Sequence, residues 1–425
     1  MIKLTAKDKE KLEIIYKKAL DQYDDYKALN LKLNMARGKP SPEQLDISTD
    51  LITALNKADI DSCSSDYRNY GMIDGIPEAK ELFAPMLEVS TKEIIIGGNS
   101  SLNMMYDIII KALIKGVPGV NIPWISSGKV KFLCPSPGYD RHFAICENLG
   151  IEMIPIEMTQ FGPDMDTVER LTANDESIKG IWCVPKYSNP EGITYSDEVV
   201  DRLASMKTKA EDFRIFWDNA YAVHHLSDKK DDLKNVLKAC KEAGNPDRVF
   251  IFASTSKITF PGAGIAMLAS SEDNINGIKK LMSVQTIGPD KLNELRHVKY
   301  FNSYENILLH MKKHASILKP KFDLVINILQ EQLGDMEIAW WSKPNGGYFI
   351  SLNTLDGCAK EVVKKAEEAG LTLTNAGATF PYGKDPKDKN IRIAPSYPSL
   401  NELKKAIELL CICVKIVCLK KKLEE

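Results

Sequence analysis

Apolar residues at helical spacing, Leu12, Ile15 and Leu20, stand in an otherwise polar opening and predict a helix within residues 1–33. A turn-rich stretch follows, Arg37-Gly38-Lys39-Pro40-Ser41-Pro42. From residue 75 the pattern alternates between helix and short apolar strand. Pro77 to Val89 reads as helix, Glu93 to Ile96 as strand, and Leu102 to Lys115 as helix after a Gly-Gly turn. Further apolar runs predict strands at Val130 to Cys134, Glu152 to Met158, Ile178 to Pro185, Phe213 to Trp217, Val249 to Ala253 and Gly264 to Ala269, with helical or loop segments between them. Val117 to Lys129 holds two prolines and two glycines and reads as an inserted loop.

Strands alternating with helices argue for an α/β fold with a mainly parallel sheet covered on both faces. Residues 303–333 then form a long helical pattern with a break expected at Pro320. A set of different order closes the chain: strands at Glu337 to Trp341, Gly347 to Leu352 and Ile391 to Ala394, helices at Cys358 to Ala369 and Leu400 to Cys413. This predicts a smaller α+β domain. The expected division is 61–302 for the large domain, with 1–60 and 303–425 contributing to the small one.

Composition narrows the function classes. The chain has 425 residues, enough for two cores, and 44% are apolar. A net charge of −2 gives no basic excess for nucleic acid. The Lys420–Lys422 run, beside Glu424 and Glu425, reads as a solvated tail. No apolar run approaches the roughly 20 residues of a membrane span, and the N-terminus lacks an apolar signal region. Nine cysteines are scattered, mostly in apolar runs, and only Cys411 and Cys413 are close; no zinc-ligand spacing completes them. Buried free thiols in a reducing, cytoplasmic compartment are expected.

Three strand-end segments carry candidate chemistry. Lys257 follows the strand Val249 to Ala253 in Ser254-Thr255-Ser256-Lys257, where an amine can meet a carbonyl cofactor; alone the segment is weak and reads first as a surface lysine with a solvated head. Asp218 ends the apolar strand before Asn219-Ala220-Tyr221, and a carboxylate among apolar neighbours needs a partner, a role, or a helix to cap. Asn189 lies in Pro185-Lys186-Tyr187-Ser188-Asn189-Pro190-Glu191-Gly192, a turn whose amide can also donate to a ligand, as can Tyr221.

In chain order, Asn-Pro-x-Gly at 189–192, Asp-x-Ala-Tyr at 218–221 and Ser-x-Ser-Lys at 254–257, each at a strand end, these segments resemble fold-type I pyridoxal-5′-phosphate (PLP) aminotransferases over roughly residues 30–415. The resemblance implies the PLP-dependent transferase fold and a large PLP-binding domain. It implies that Lys257 carries the cofactor as a Schiff base, that Asp218 pairs with the pyridine nitrogen, and that Asn189 and Tyr221 reach its phenolic oxygen. Gly98-Asn99-Ser100 then matches the phosphate-binding turn at a helix start. Tyr139 matches the ring-stacking aromatic, and His142 the histidine behind Asp218. Tyr70 matches a tyrosine serving the neighbouring subunit's phosphate, which implies a homodimer. Arg392 matches the arginine that binds the substrate α-carboxylate. One departure stands out. Ile265 occupies the position where many relatives carry a phosphate-contacting arginine, so Ser254, Ser256, Gly98, Asn99 and Tyr70 must do more.

The Gly38 loop, the 117–129 insertion and the Tyr139–His142 segment resemble the MocR-like branch of class I that includes aspartate aminotransferases. That implies amino exchange between aspartate and 2-oxoglutarate, with Lys257 as general base. Gly38 and Asn189 are implied at the substrate. Arg37 and Arg141 are candidates for its second carboxylate, each alternatively paired with a local acid such as Asp140. A C–S lyase or an alanine-type aminotransferase would use the same residues. A transcription regulator would need a winged helix-turn-helix, and the roughly 35 residues before Gly38 are too few for one.

Overall fold

In the computed structural model, which describes residues 6–424, an eight-stranded sheet dominates. Its centre is five parallel strands in the spatial order Glu152–Thr159, Lys131–Ser136, Ile178–Cys183, Arg214–Asp218 and Val249–Ser254. Ala266–Ala269 adds antiparallel to the last of these, and Ile94–Ile96 antiparallel to it in turn; the two-residue strand Gly162–Pro163 closes the other edge. The sheet is therefore mixed, with a parallel middle.

The period-2 pattern of side chains sorts the strand residues onto two faces. Leu133, Ile181, Ile215, Trp217, Val249 and Ile251 enter one core. Their sequence neighbours Phe132, Trp182, Phe216, Phe250 and Phe252 enter the other. With both faces covered, every residue of Ile178–Cys183 and Arg214–Asp218 is buried. This is why these strands read as unbroken apolar runs.

The strand Lys131–Ser136 has its sequence successor Glu152–Thr159 on one side and Ile178–Cys183 on the other. The winding direction reverses there, and ligands of such sheets sit beyond the carboxyl ends at the reversal. Tyr139, Asn189, Asp218 and Lys257 all follow carboxyl ends of these central strands.

The remainder packs around a third core. A three-stranded antiparallel sheet, Ala339–Trp341, Ile350–Thr354 and Asn390–Ile393, lies beside helices Ala359–Glu368 and Leu400–Glu424. Helix Ala6–Ala28 packs on the C-terminal helix, and a short parallel ladder pairs Leu33–Asn34 with Leu371–Thr372. The 30-residue helix Tyr304–Leu333 belongs to both regions: Ile307 and Met311 enter a core of the main sheet, Leu318, Phe322 and Val325 the small one.

Three expectations are corrected. The long helix runs through Pro320 without ending, because its flanking residues are buried on both sides of the proline. The last helix runs to Glu424, past Cys413; Val414, Ile416, Cys418 and Leu419 are all buried. The Lys420–Lys422 run is thus helical, and Lys421 and Lys422 donate to the carbonyls of Asp356 (2.6 Å) and Met336 (3.2 Å). The 117–129 stretch is a loop as expected, but one anchored by fully buried Trp124 and by Arg214 Nη2 on Pro118 O at 3.3 Å. None of the nine cysteines is in a disulfide, and eight of them are buried. Among the described residues no helix is long and apolar enough to cross a membrane.

Candidate active site

The carboxyl ends of the central strands open into a cavity of about 350 Å³. Lys257, Asp218, Asn189, Tyr139, Tyr221, Ser254, Ser256, Ser100, Arg37, Gly38, Arg141 and Arg392 all line it. These are twelve of the sixteen residues that the sequence put forward. His142 lies immediately behind, and Gly98, Asn99 and Tyr70 lie elsewhere.

Asp218 is the last residue of its strand and almost fully buried. Its Oδ2 is 3.0 Å from His142 Nε2, and its Oδ1 is buried with no partner. A buried carboxylate oxygen left unpaired is costly, so this atom calls for a donor from the cavity. His142 is held in turn by stacking on Trp182, with centroids 4.2 Å apart and planes at 6°. The protonated ring nitrogen of PLP supplies such a donor, so the residues present fit the cofactor.

Lys257 lies in a turn after Val249–Ser254. Its Nζ is 4.9 Å from the Tyr221 ring and 5.7 Å from that of Tyr348. Burial pushes its amine below the usual lysine range, and Asp218 opposes that shift. Burial also pushes Tyr139 up to about 12 and raises Tyr221, so both phenols remain hydrogen-bond donors at neutral pH.

Arg392 sits on Asn390–Ile393, an edge strand of the small antiparallel sheet, yet is only 6% exposed because the cavity wall covers it. Its Nη1 donates to Asp140 Oδ1 (2.9 Å) and Asn189 Oδ1 (3.3 Å), its Nη2 to Thr374 Oγ1 (3.2 Å). The Phe349 ring lies 4.8 Å from the guanidinium carbon. Gly38 rests on that same ring: a Cβ at Gly38 would come within 2.6 Å of it, so only glycine lets the loop approach. The loop is fixed at both ends by Thr374 Oγ1 on Ala36 O (2.6 Å) and Ser396 Oγ on Lys39 O (2.9 Å).

Arg37 and Arg141 are exposed at the cavity, and neither has an ion-pair partner among the described residues. The acid that the sequence offered them, Asp140, pairs with Arg392 instead. With Lys39 the cavity carries five cations, Arg37, Lys39, Arg141, Lys257 and Arg392, against Asp140 and Asp218.

The start of helix Ser101–Lys115 opens onto the cavity. Ser100 caps it, accepting from Asn103 N, and Ser101 and Leu102 line the cavity with it. Ser254 and Ser256 stand opposite, their hydroxyls 3.0 Å apart. Gly98 lines a neighbouring cavity, and the Asn99 amide donates to Pro261 O (3.2 Å) and Gly262 O (3.3 Å) as a loop brace. Ile265 is fully buried. Tyr70 is 82% exposed on a separate surface with Thr286, Ile287 and Pro289.

The sequence passed over Thr374, Phe349, Tyr348, Ser101 and Lys39, and offered Asp140 only as a partner for Arg37 or Arg141. Lys39 was inside a quoted motif; the other four carry no local signal.

A profile of the aspartate amino-transferase family matches residues 8–425. An aspartate aminotransferase of Corynebacterium glutamicum is 43% identical over 408 residues, 96% of this chain and 94% of its own. A Mycolicibacterium smegmatis protein named as an aminotransferase is 49% identical, covering 92% of each chain. The crystal structure of an aspartate transaminase from C. glutamicum superposes with a TM-score of 0.94 at 42% identity, over 97% of both chains.

Proposed function

The chain belongs to the aspartate aminotransferase family, and from that premise we propose that it exchanges an amino group between aspartate and 2-oxoglutarate with PLP as cofactor. The observation that carries this reading is the cavity's charge: an amine, four further cations and a buried, half-satisfied carboxylate meet in one space. A dianionic substrate with an anionic cofactor suits that balance.

PLP, when bound, supplies an electron sink for negative charge at the substrate Cα. Asp218 Oδ1 would hold the protonated ring nitrogen, with His142 orienting the carboxylate. Asn189 and Tyr221 would donate to the ring oxygen. Tyr139 would cover the ring face. Ser100, Ser254, Ser256 and the helix N-terminus would hold the phosphate without an arginine at position 265. Asn99 and Gly98 support that turn from outside the cavity.

Lys257 Nζ, freed when the substrate's amine takes its place and with its proton affinity lowered by burial, would take the Cα proton as general base and deliver it to the carbon that keeps the amino group. Arg392 orients the substrate by its α-carboxylate, with Asn189 beside it. Arg37 or Arg141 meets the second carboxylate. The large domain, 61–302, supplies the cofactor residues, and 1–60 with 303–425 the substrate arginines Arg37 and Arg392. Tyr70 serves a second copy, making the working enzyme a homodimer. Nine cysteines outside any disulfide suit a reducing cytoplasm.

The test is direct. Purified protein with PLP is mixed with a panel of amino acids while the cofactor's visible absorbance is followed. Aspartate changes it fastest, and borohydride attaches the cofactor to the peptide containing Lys257. Attachment to another lysine, or a response to alanine alone, overturns the reading.

A further inference from the structure

The turn bearing Lys257 is held from both sides. Before the lysine, Thr255 N donates to Ile265 O (2.8 Å) and Ile265 N donates to Thr255 Oγ1 (2.9 Å). After it, three of the chain's six histidines converge on the next two residues. His297 Nε2 is 3.1 Å from Thr259 Oγ1. The carbonyl oxygen of Ile258 is 2.8 Å from His310 Nε2 and 3.0 Å from His314 Nε2, and Ser48 Oγ donates to it at 3.3 Å. A carbonyl only accepts, so an imidazole bonded to it carries its proton on Nε2; His310 Nε2 is also 3.3 Å from Ser48 Oγ, and its Nδ1 is 3.5 Å from Tyr300 OH. The 3.2 Å between the two Nε2 atoms follows from this shared acceptor and is not itself a hydrogen bond.

Gln44 dictates that tautomer. Its Oε1 accepts from Ser41 N (3.2 Å), which identifies the other amide atom as Nε2. That Nε2 donates to Tyr348 OH (2.8 Å) and to His314 Nδ1 (3.1 Å), one proton each. An accepting Nδ1 leaves the proton of neutral His314 on Nε2, aimed at Ile258 O. Burial holds His314 down to about 4 and lowers His310, so both stay neutral at neutral pH. Gln44 is fully buried, satisfied at every polar atom, and sits just past the cavity loop Arg37–Lys39. None of Gln44, His310 and His314 lines the cavity.

We propose that Gln44, His314 and His310 are positioning residues for Lys257, acting through the carbonyl of Ile258 to fix the backbone from which the amine reaches the cavity. Loss of the Gln44 amide frees His314 to carry its proton on Nδ1, and an Nε2 lone pair then faces the carbonyl. The turn relaxes and the amine shifts. This rests on the reading of Lys257 as the reactive amine.

The experiment compares holoenzymes of wild type, Gln44→Met, His314→Leu and His314→Gln. Each is measured for the pH midpoint of the cofactor's visible absorbance, which reports the proton affinity at Lys257, for kcat and KM with aspartate, and for Tm. Gln44→Met and His314→Leu are expected to move the absorbance midpoint and lower kcat about tenfold to hundredfold, the scale for a slightly misplaced reacting group. KM should stay within about twofold, because substrate contacts are untouched. His314→Gln keeps an N–H toward Ile258 and should recover both quantities. A lowered Tm with unmoved midpoint and kcat in Gln44→Met assigns the network to stability alone and overturns the proposal. So does a His314→Gln enzyme as damaged as His314→Leu but with native Tm. Covalent cofactor retained in Lys257→Ala would instead overturn the reading of Lys257, a separate outcome.

Discussion

Asp140 holds Arg392 at 2.9 Å in the same cavity where a substrate carboxylate is proposed to bind that guanidinium. The acid side chain is 32% exposed and the arginine's 6%. A substrate must displace or share this partner, so Asp140 opposes every anion at Arg392 by about 1 kcal/mol, the scale of a partly exposed pair. Asp140→Asn is expected to lower KM about fivefold for aspartate and alanine alike, with kcat little changed. A raised KM in steady-state assays would show Asp140 assisting binding instead.

Asp218 and His142 separate by role. Asp218→Ala removes the carboxylate that the cavity leaves half-satisfied, and a loss of about 3–5 kcal/mol in transition-state stabilisation is expected. His142 touches only Asp218 and its aromatic neighbours, so His142→Ala should cost less. Comparable losses in kcat/KM would give His142 a direct part in the chemistry.

The strands and the three strand-end motifs were legible in sequence because buried parallel strands are continuous apolar runs ending in polar residues. Other relationships were not. Arg392 and Asp140 are 252 positions apart, Gln44 and His314 270. No periodicity connects such pairs; only the packed fold does. From Val414 to Leu419 the C-terminal helix is almost wholly buried against three other helices, so it carries no amphipathic stripe to extend. Asn99 was found as part of a turn, but the direction of its amide depends on the 261–262 loop opposite.

Glu294 offers a pH signature. It is buried, its Oε2 accepts from Ile76 N at the start of helix Pro77–Leu87 (2.7 Å), and its Oε1 has no partner. Burial pushes the acid up to about 8. The folded chain then keeps a proton that the unfolded chain releases above the ordinary carboxylate range. The stabilisation is complete below that range and is lost as pH rises through about 8. Glu294→Gln, neutral throughout, should flatten the fall of Tm between about pH 5 and pH 9. Parallel Tm curves for the two proteins would contradict this.

Tyr70 is exposed in the isolated chain, away from the cavity. If it completes the site of a second copy, Tyr70→Phe and Lys257→Ala chains mixed as heterodimers form one native site and one doubly damaged site. Activity should therefore reappear on mixing two weak parents. A fully active monomer in sedimentation, or no recovery on mixing, counts against the assembly.

The second carboxylate of the substrate decides between aspartate and alanine. With Arg392 proposed for the α-carboxylate, a side-chain carboxylate enclosed without a second cation is costly. Arg37 and Arg141 both line the cavity, and neither is spent on an ion pair among the described residues. Arg37 sits on the loop that Gly38 lets approach Phe349, and Arg141 lies one residue beyond Asp140. Removing the arginine in use should raise KM for aspartate and 2-oxoglutarate at least about tenfold and leave alanine nearly unchanged, since only dicarboxylates use that contact. Steady-state kinetics of Arg37→Ala and Arg141→Ala with both amino acids measure this. If neither variant alters the ratio of kcat/KM for aspartate over alanine, the excess cations of the cavity do not select a dicarboxylate. Alanine-type exchange or C–S cleavage would then fit the same lysine and aspartate better.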